Sequence, residues 1–115
     1  MLEKPKFLQG LYPFIGVGLE KPIRLQPEIR YKVPSDKRSQ LIYFRAGNST
    51  GEMIYILFVR DGKPMRYFPV GAKDAVHVSL AVIEDLQPET WLELMIAAPD
   101  GVSGSVLLDI GLVEI

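Results

Sequence analysis

Apolar and polar side chains alternate with a period of two through most of the chain after Lys21, and a helical period of 3.6 nowhere persists beyond two turns. The pattern predicts strands. From Ala75 to Ile83 the alternation is cleanest, with Val76, Val78, Leu80 and Val82 on one face and Ala75, His77, Ser79 and Ala81 on the other. The last run splits in the same way into a heavy row, Val106, Leu108, Ile110 and Leu112, and a lighter one of Ser105, Leu107, Asp109, Gly111 and Val113. Between Pro22 and Pro34 lie two short strands broken by Pro27, in which Ile29, Tyr31 and Val33 alternate with Glu28, Arg30 and Lys32 and leave one face wet. Leu41 to Ala46, Met53 to Arg60 and Trp91 to Ala98 are aliphatic and aromatic runs of strand length, the types that suit a pleated, buried surface.

Turn chemistry separates these runs. Asp61-Gly62 joins Met53–Arg60 to Lys63–Val70, and both residues tolerate positive φ, so a type I′ hairpin is expected there. Pro64 and Pro69 bring no amide donor, which places the returning strand at an edge or breaks it. Glu84 to Thr90 reads as a turn, and Pro99-Asp100-Gly101 as the turn of a second hairpin. Seven or eight strands at intervals of about ten residues predict an all-β fold, an antiparallel β-sandwich. It is expected to occupy residues 21–115 as a single domain. Residues 1–20 form an apolar arm whose glycines and Pro13 resist regular structure, while Phe7, Leu8, Leu11, Tyr12, Phe14, Ile15, Val17 and Leu19 need burial on the domain or on a neighbour.

Charge and composition remove several kinds of chemistry. Without cysteine there is no disulfide framework, thiolate nucleophile, iron–sulfur cluster or thiolate zinc site. Thirteen scattered basic residues against fourteen acidic ones, a net charge of -1, argue against a nucleic-acid partner, which needs a basic surplus on one face. No apolar run reaches the roughly 20 residues of a membrane-crossing helix, so no membrane partner is expected. Gln9 and Pro13 interrupt the first apolar stretch and no small-residue cleavage site follows, so the expectation is a soluble cytoplasmic protein. His77 is the sole histidine, and any histidine metal site or nucleophile–histidine–acid triad would depend on it; the plainer reading is a partly buried strand residue satisfied by one neighbour. Glu84-Asp85 is the only adjacent carboxylate pair in a turn, and it reads as solvated. These features predict no enzyme and no cofactor.

From Gln40 onward the order of features resembles the jelly-roll sandwiches of carbohydrate-binding modules and galactose-binding-like domains. The resemblance rests on LIYFRAGN, the long strand and hairpin after it, VHVSLAVI, WLELMIAA, and a closing SVLLDIGLVEI with an aspartate inside an apolar strand. It implies a jelly-roll fold. It further implies a structural calcium near the chain ends with Asp109 at the matching position, although no acidic cluster accompanies Asp109 in sequence.

Leu41–Ala46 and Met53–Arg60 are apolar on both faces, so something must cover the second face: the arm, another copy, or a ligand stacked on tyrosines. Tyr43, Arg45, Tyr55, Leu57, Tyr67 and Trp91 are the candidate binding residues, an amphipathic set suited to interface anchoring or to stacking on sugars. Two functions follow. The first is a non-catalytic assembly or docking module that self-associates as a dimer or larger, or sits on another protein. The alternative is a carbohydrate-binding module.

Overall fold

The computed structural model describes residues 3–115, the side chains of residues 81–83 excepted, so the placement of Ala81 and Val82 on their two rows and the first two residues of the arm lie outside it. The described residues form eight strands: β1 (Lys4–Ile15), β2 (Ile23–Lys32), β3 (Ser39–Asn48), β4 (Ile54–Arg60), β5 (Lys63–Val70), β6 (Ala75–Leu86), β7 (Trp91–Ala97) and β8 (Ser103–Glu114). They make two four-stranded antiparallel sheets, β1-β8-β3-β6 and β2-β7-β4-β5. Pairing first with last, second with seventh, third with sixth and fourth with fifth describes one long ribbon folded over itself, which is the jelly roll. Among the described residues there is no helix, hence none long and apolar enough to cross a membrane.

The period-two rows become the core. Ile29, Tyr31 and Val33, the heavy row of β8, and Ile54, Ile56 and Phe58 are all buried between the sheets. Phe44 from the first sheet stacks on Phe68 at 4.4 Å and meets the edge of Phe58 at 5.5 Å, which locks the layers together. Arg66 on β5 pairs with Glu84 on β6, bridging the sheets at one open side.

β4 and β5 make the one hairpin between consecutive strands, and all other connections cross from one sheet to the other. Asp61 and Gly62 have φ of 50° and 79°, as a type I′ turn requires. Gly62→Val should cost about 1 kcal/mol and several degrees of melting temperature, measured by thermal denaturation. An unchanged midpoint would show that the turn relaxes at no cost. Pro64 and Pro69 sit on β5, an edge strand, as their missing donors require.

Four expectations are corrected. Pro99-Asp100-Gly101 does not close a hairpin, because β7 and β8 lie in different sheets; the positive φ of Gly101, 82°, serves an arch instead. Glu84 and Asp85 do not sit in a turn, since β6 runs on to Leu86, pairing Glu84 with Leu41 and Asp85 with Gln40, and Arg38 holds Asp85 at 3.1 Å. Pro27 does not break β2, which bulges between Arg24 and Ile29 and continues. Residues Lys4–Ile15 of the arm form β1, a strand of the sandwich itself: Tyr12 and Phe14 enter the core and Leu8 packs against it.

The two-sided apolar runs have two different causes. In β3 the register shifts between Leu41 and Tyr43, so Leu41, Phe44 and Ala46 are buried while Ile42 and Arg45 are exposed. The strand changes parity midway. β4 is an interior strand whose second row is covered by its own neighbours. Leu57 stands between Tyr67 and Met95 and is only 4% exposed, and the Tyr55 hydroxyl donates to the Leu19 carbonyl at 2.5 Å.

Candidate functional site

The outer face of the first sheet carries one polar cluster. In register, Arg45 on β3 stands between Asp109 on β8 and His77 on β6, and Tyr43 stands between Gly111 and Ser79. The Tyr43 hydroxyl donates to Asp109 Oδ1 at 2.9 Å, and the Arg45 guanidinium lies 3.7 Å from the other carboxylate oxygen. Arg45 Nε donates to His77 Nδ1 at 2.7 Å, which leaves Nε2 facing away from the arginine. Arg45 also lies 4.9 Å from the centre of the Tyr43 ring, and the Tyr43 and His77 rings run nearly parallel, 11° apart in tilt.

Glycine makes this arrangement possible. The Tyr43 ring lies across Gly111, where a Cβ would overlap it, so the absence of a side chain lets the ring fold down over the sheet toward Asp109. Burial first, and then the hydrogen bond to Asp109, push the Tyr43 phenol above its ordinary value. It is a donor at neutral pH.

Beside the cluster the side chains are small. Gly47, opposite Leu107 and Ala75, leaves a depression of about 400 Å³ walled by Arg45, His77 and Asp109. The hollow next to it, about 310 Å³, shares Gly47, Ala75 and Leu107 and reaches Ser49, Lys73, Asp74 and Ser105. The two form an open groove with polar groups at both ends and an apolar middle. Volumes of this order suit small ligands or a stretch of a longer one.

The six candidate residues do not make one surface. Arg45 lines the groove and Tyr43 stands in the polar cluster beside it, while Tyr55, Leu57, Tyr67 and Trp91 lie on the outer face of the second sheet. On that face the Trp91 ring is covered by the Arg30 guanidinium at 4.3 Å, with Lys32 at 5.8 Å, and Glu93 draws in Arg24 and Arg30. The indole therefore already has a cationic partner, while the residue stays 37% exposed. Leu57 is buried, and Tyr67 is exposed with Tyr55 against its edge.

Sequence reasoning missed two residues of the cluster. His77 is exposed rather than partly buried, because its light row faces outward, and it meets both Arg45 and the Tyr43 ring. Asp109 is engaged by Tyr43 and Arg45. No group of three or more His, Cys, Asp or Glu that could hold a metal occurs among the described residues. The usable signal was that each was the one ionisable side chain in an otherwise small or apolar outward row.

No family model matches the chain, and no curated protein matches its sequence. The structure is similar to that of the CBM36-1 domain of a multidomain xylanase from the hindgut metagenome of Trinervitermes trinervoides, with a TM-score of 0.56 and 10% identity over 92% of this chain and 96% of that one. It is also similar, at a TM-score of 0.45 and 11% identity, to an exo-beta-1,3-galactanase from Phanerochaete chrysosporium, covering 100% of this chain and 30% of that one. The first likeness shows the fold: a β-sandwich like that of a carbohydrate-binding module.

Proposed function

We propose that the protein is a non-catalytic carbohydrate-binding module whose ligand lies in the groove of the first sheet. The fold supports this reading over an assembly or docking module. The observation that carries it is the Tyr43, Arg45, His77 and Asp109 cluster beside an open apolar hollow. A sugar ring presents hydroxyls that both donate and accept, together with an apolar C–H face. Arg45 offers donors, Asp109 an acceptor, His77 Nε2–H a further donor, and Leu107 and the small residues an apolar floor. The separation of 3.7 Å between Arg45 and Asp109 leaves both free to turn to a hydroxyl without breaking a tight pair. The two adjoining hollows together offer room for a segment of a polysaccharide chain.

Across the sheet the row reads Gln9, Asp109, Arg45 and His77, a line of alternating acceptors and donors for sugar hydroxyls.

Affinity electrophoresis in gels containing soluble polysaccharides, xylan among them, tests the reading. Arg45→Ala and Asp109→Ala should each weaken binding about tenfold or more, as loss of a charge-assisted hydrogen bond does, while Tyr67→Ala and Trp91→Ala should leave it unchanged. Absence of retardation by every polysaccharide, or loss confined to the Tyr67 and Trp91 variants, would overturn it.

A further inference from the structure

β1 ends the first sheet, with β8 on one side and no strand on the other. In an antiparallel pair the N–H and C=O of one residue point to the same side, and successive residues alternate. Ser49 N–H donates to the Ser105 carbonyl at 3.1 Å, so Ser105 turns its main chain toward β3 and away from β1. Its partner on β1, Pro13, therefore turns away from β8. Gly16, one step past β1 in the same register, agrees: it donates toward the β8 side, to Val102 O at 2.7 Å. Even-numbered residues of β1 thus bond to β8, and Pro5, Phe7, Gln9, Leu11, Pro13 and Ile15 aim their main chain at the open edge.

Those same residues carry their side chains on the outer face. Phe7, Leu11 and Ile15 are 53%, 65% and 66% exposed. Pro5 and Pro13 have no donor to offer, and they stand four residues to either side of Gln9.

We infer that β1 pairs antiparallel with β1 of a second copy, about a two-fold axis at Gln9, joining two first sheets edge to edge. In that register Phe7 faces Leu11 of the second copy, Gln9 faces Gln9, and Leu11 faces Phe7. Each of these three pairs exchanges two hydrogen bonds. Pro5 faces Pro13 of the second copy at both ends, so no donor in the window is wasted and the ladder stops where donors end. Shifting the two-fold by one residue would set a proline opposite Phe7 in one direction or opposite Leu11 in the other, and leave acceptors without donors inside the ladder. A two-fold interface requires the same surface on both partners, and equal spacing of the donorless positions about one residue is that self-complementarity. An unrelated partner strand has no need of it. The aromatic and aliphatic cross-strand pairs add to the ladder on the outer face.

Sedimentation velocity of the full chain from low to several hundred micromolar tests this. The intact protein should shift with concentration from 12.9 kDa to twice that mass. Gln9→Pro leaves the β1–β8 bonds in place, as Pro5 and Pro13 already do, but removes two symmetric hydrogen bonds of the ladder, and should raise the dissociation constant about thirtyfold. Amide hydrogen exchange on the intact protein reads the same contact without a variant. The amides of Phe7, Gln9 and Leu11 should be protected at high concentration and lose protection together on dilution. A monomer throughout the range, a dimer in which these three amides exchange freely, or undiminished dimerisation of a folded Gln9→Pro variant would each overturn the inference.

Discussion

Replacing Asn48 by alanine should lower the unfolding free energy by about 3 kcal/mol and the melting temperature by about ten degrees. Asn48 is buried at the end of β3, where the chain crosses to the second sheet. Its Nδ2 donates to the carbonyls of Glu52 at 2.8 Å and Gly71 at 3.0 Å, and its Oδ1 accepts from Thr50 N at 2.9 Å and Thr50 Oγ1 at 2.9 Å. One side chain thereby ties the β3–β4 crossing to the β5–β6 crossing. Main-chain bonds from Asn48 N to Asp74 O and from Lys73 N to Thr50 O run beside it. Truncation removes all four bonds and leaves the buried Thr50 N–H without its acceptor, while Glu52 O can still accept from Thr50 Oγ1 and Gly71 O from Asp74 N. Asn48→Asp keeps the acceptor but sets a carboxylate against two carbonyl oxygens, so it should cost at least as much. Urea denaturation measures both. A loss under 1 kcal/mol for the alanine variant would mean that the crossings hold without their hub. Ser49, Lys73 and Asp74 line the far end of the groove, so the Asn48→Ala variant should also loosen that end.

What the sequence made legible was local. Alternation in β6 and β8, the positive-φ pair at Asp61-Gly62 and the prolines of an edge strand are written in neighbouring residues, and the structure keeps them. What it hid was non-local. An arch between sheets uses the same left-handed glycine as a hairpin, so Pro99-Asp100-Gly101 could not say whether β7 and β8 pair. The bulge after Leu41 is set by the strands on either side of β3, and without it the run shows only apolar residues on both faces. The site followed the same division. Tyr43 and Arg45 stood out within one strand, but their partners arrive from β6 and β8, with His77 32 residues from Arg45 and Asp109 66 from Tyr43. Only the strand order brings them together. Tyr55, Tyr67 and Trp91 share the amphipathic chemistry of Tyr43 but stand on the other sheet, which residue type alone does not reveal.

Raising the pH from about 9 to above 12 should destabilise the protein through Tyr31, and Tyr31→Phe should remove that component. Tyr31 on β2 reaches across the core to the first sheet, where its hydroxyl donates to Glu114 Oε2 at 2.5 Å and shares a hydrogen bond of 2.7 Å with Ser39 Oγ. All three residues are buried, and the contact fastens β2 to β3 and β8 at one end of the sandwich. Burial, and next the hydrogen bond to the Glu114 carboxylate, push the phenol from 10.0 up to about 12. A value raised in the folded state means that folding favours the protonated phenol. Its contribution is therefore complete below about pH 10, where the unfolded chain is protonated too, and disappears as pH rises through about 12. Loss of the proton would leave a phenolate against a carboxylate with no donor between them. The change is on the order of 1 to 2 kcal/mol once solvent screening near the sandwich end is allowed for. The informative quantity is the difference between the two curves. Tyr31→Phe should be less stable by about 1 to 3 kcal/mol at pH 7, because Glu114 and Ser39 lose a buried donor, and the gap should narrow as the pH rises past 11. A gap that stays constant to pH 12 in urea denaturation would show that the Tyr31 proton is not held by the fold.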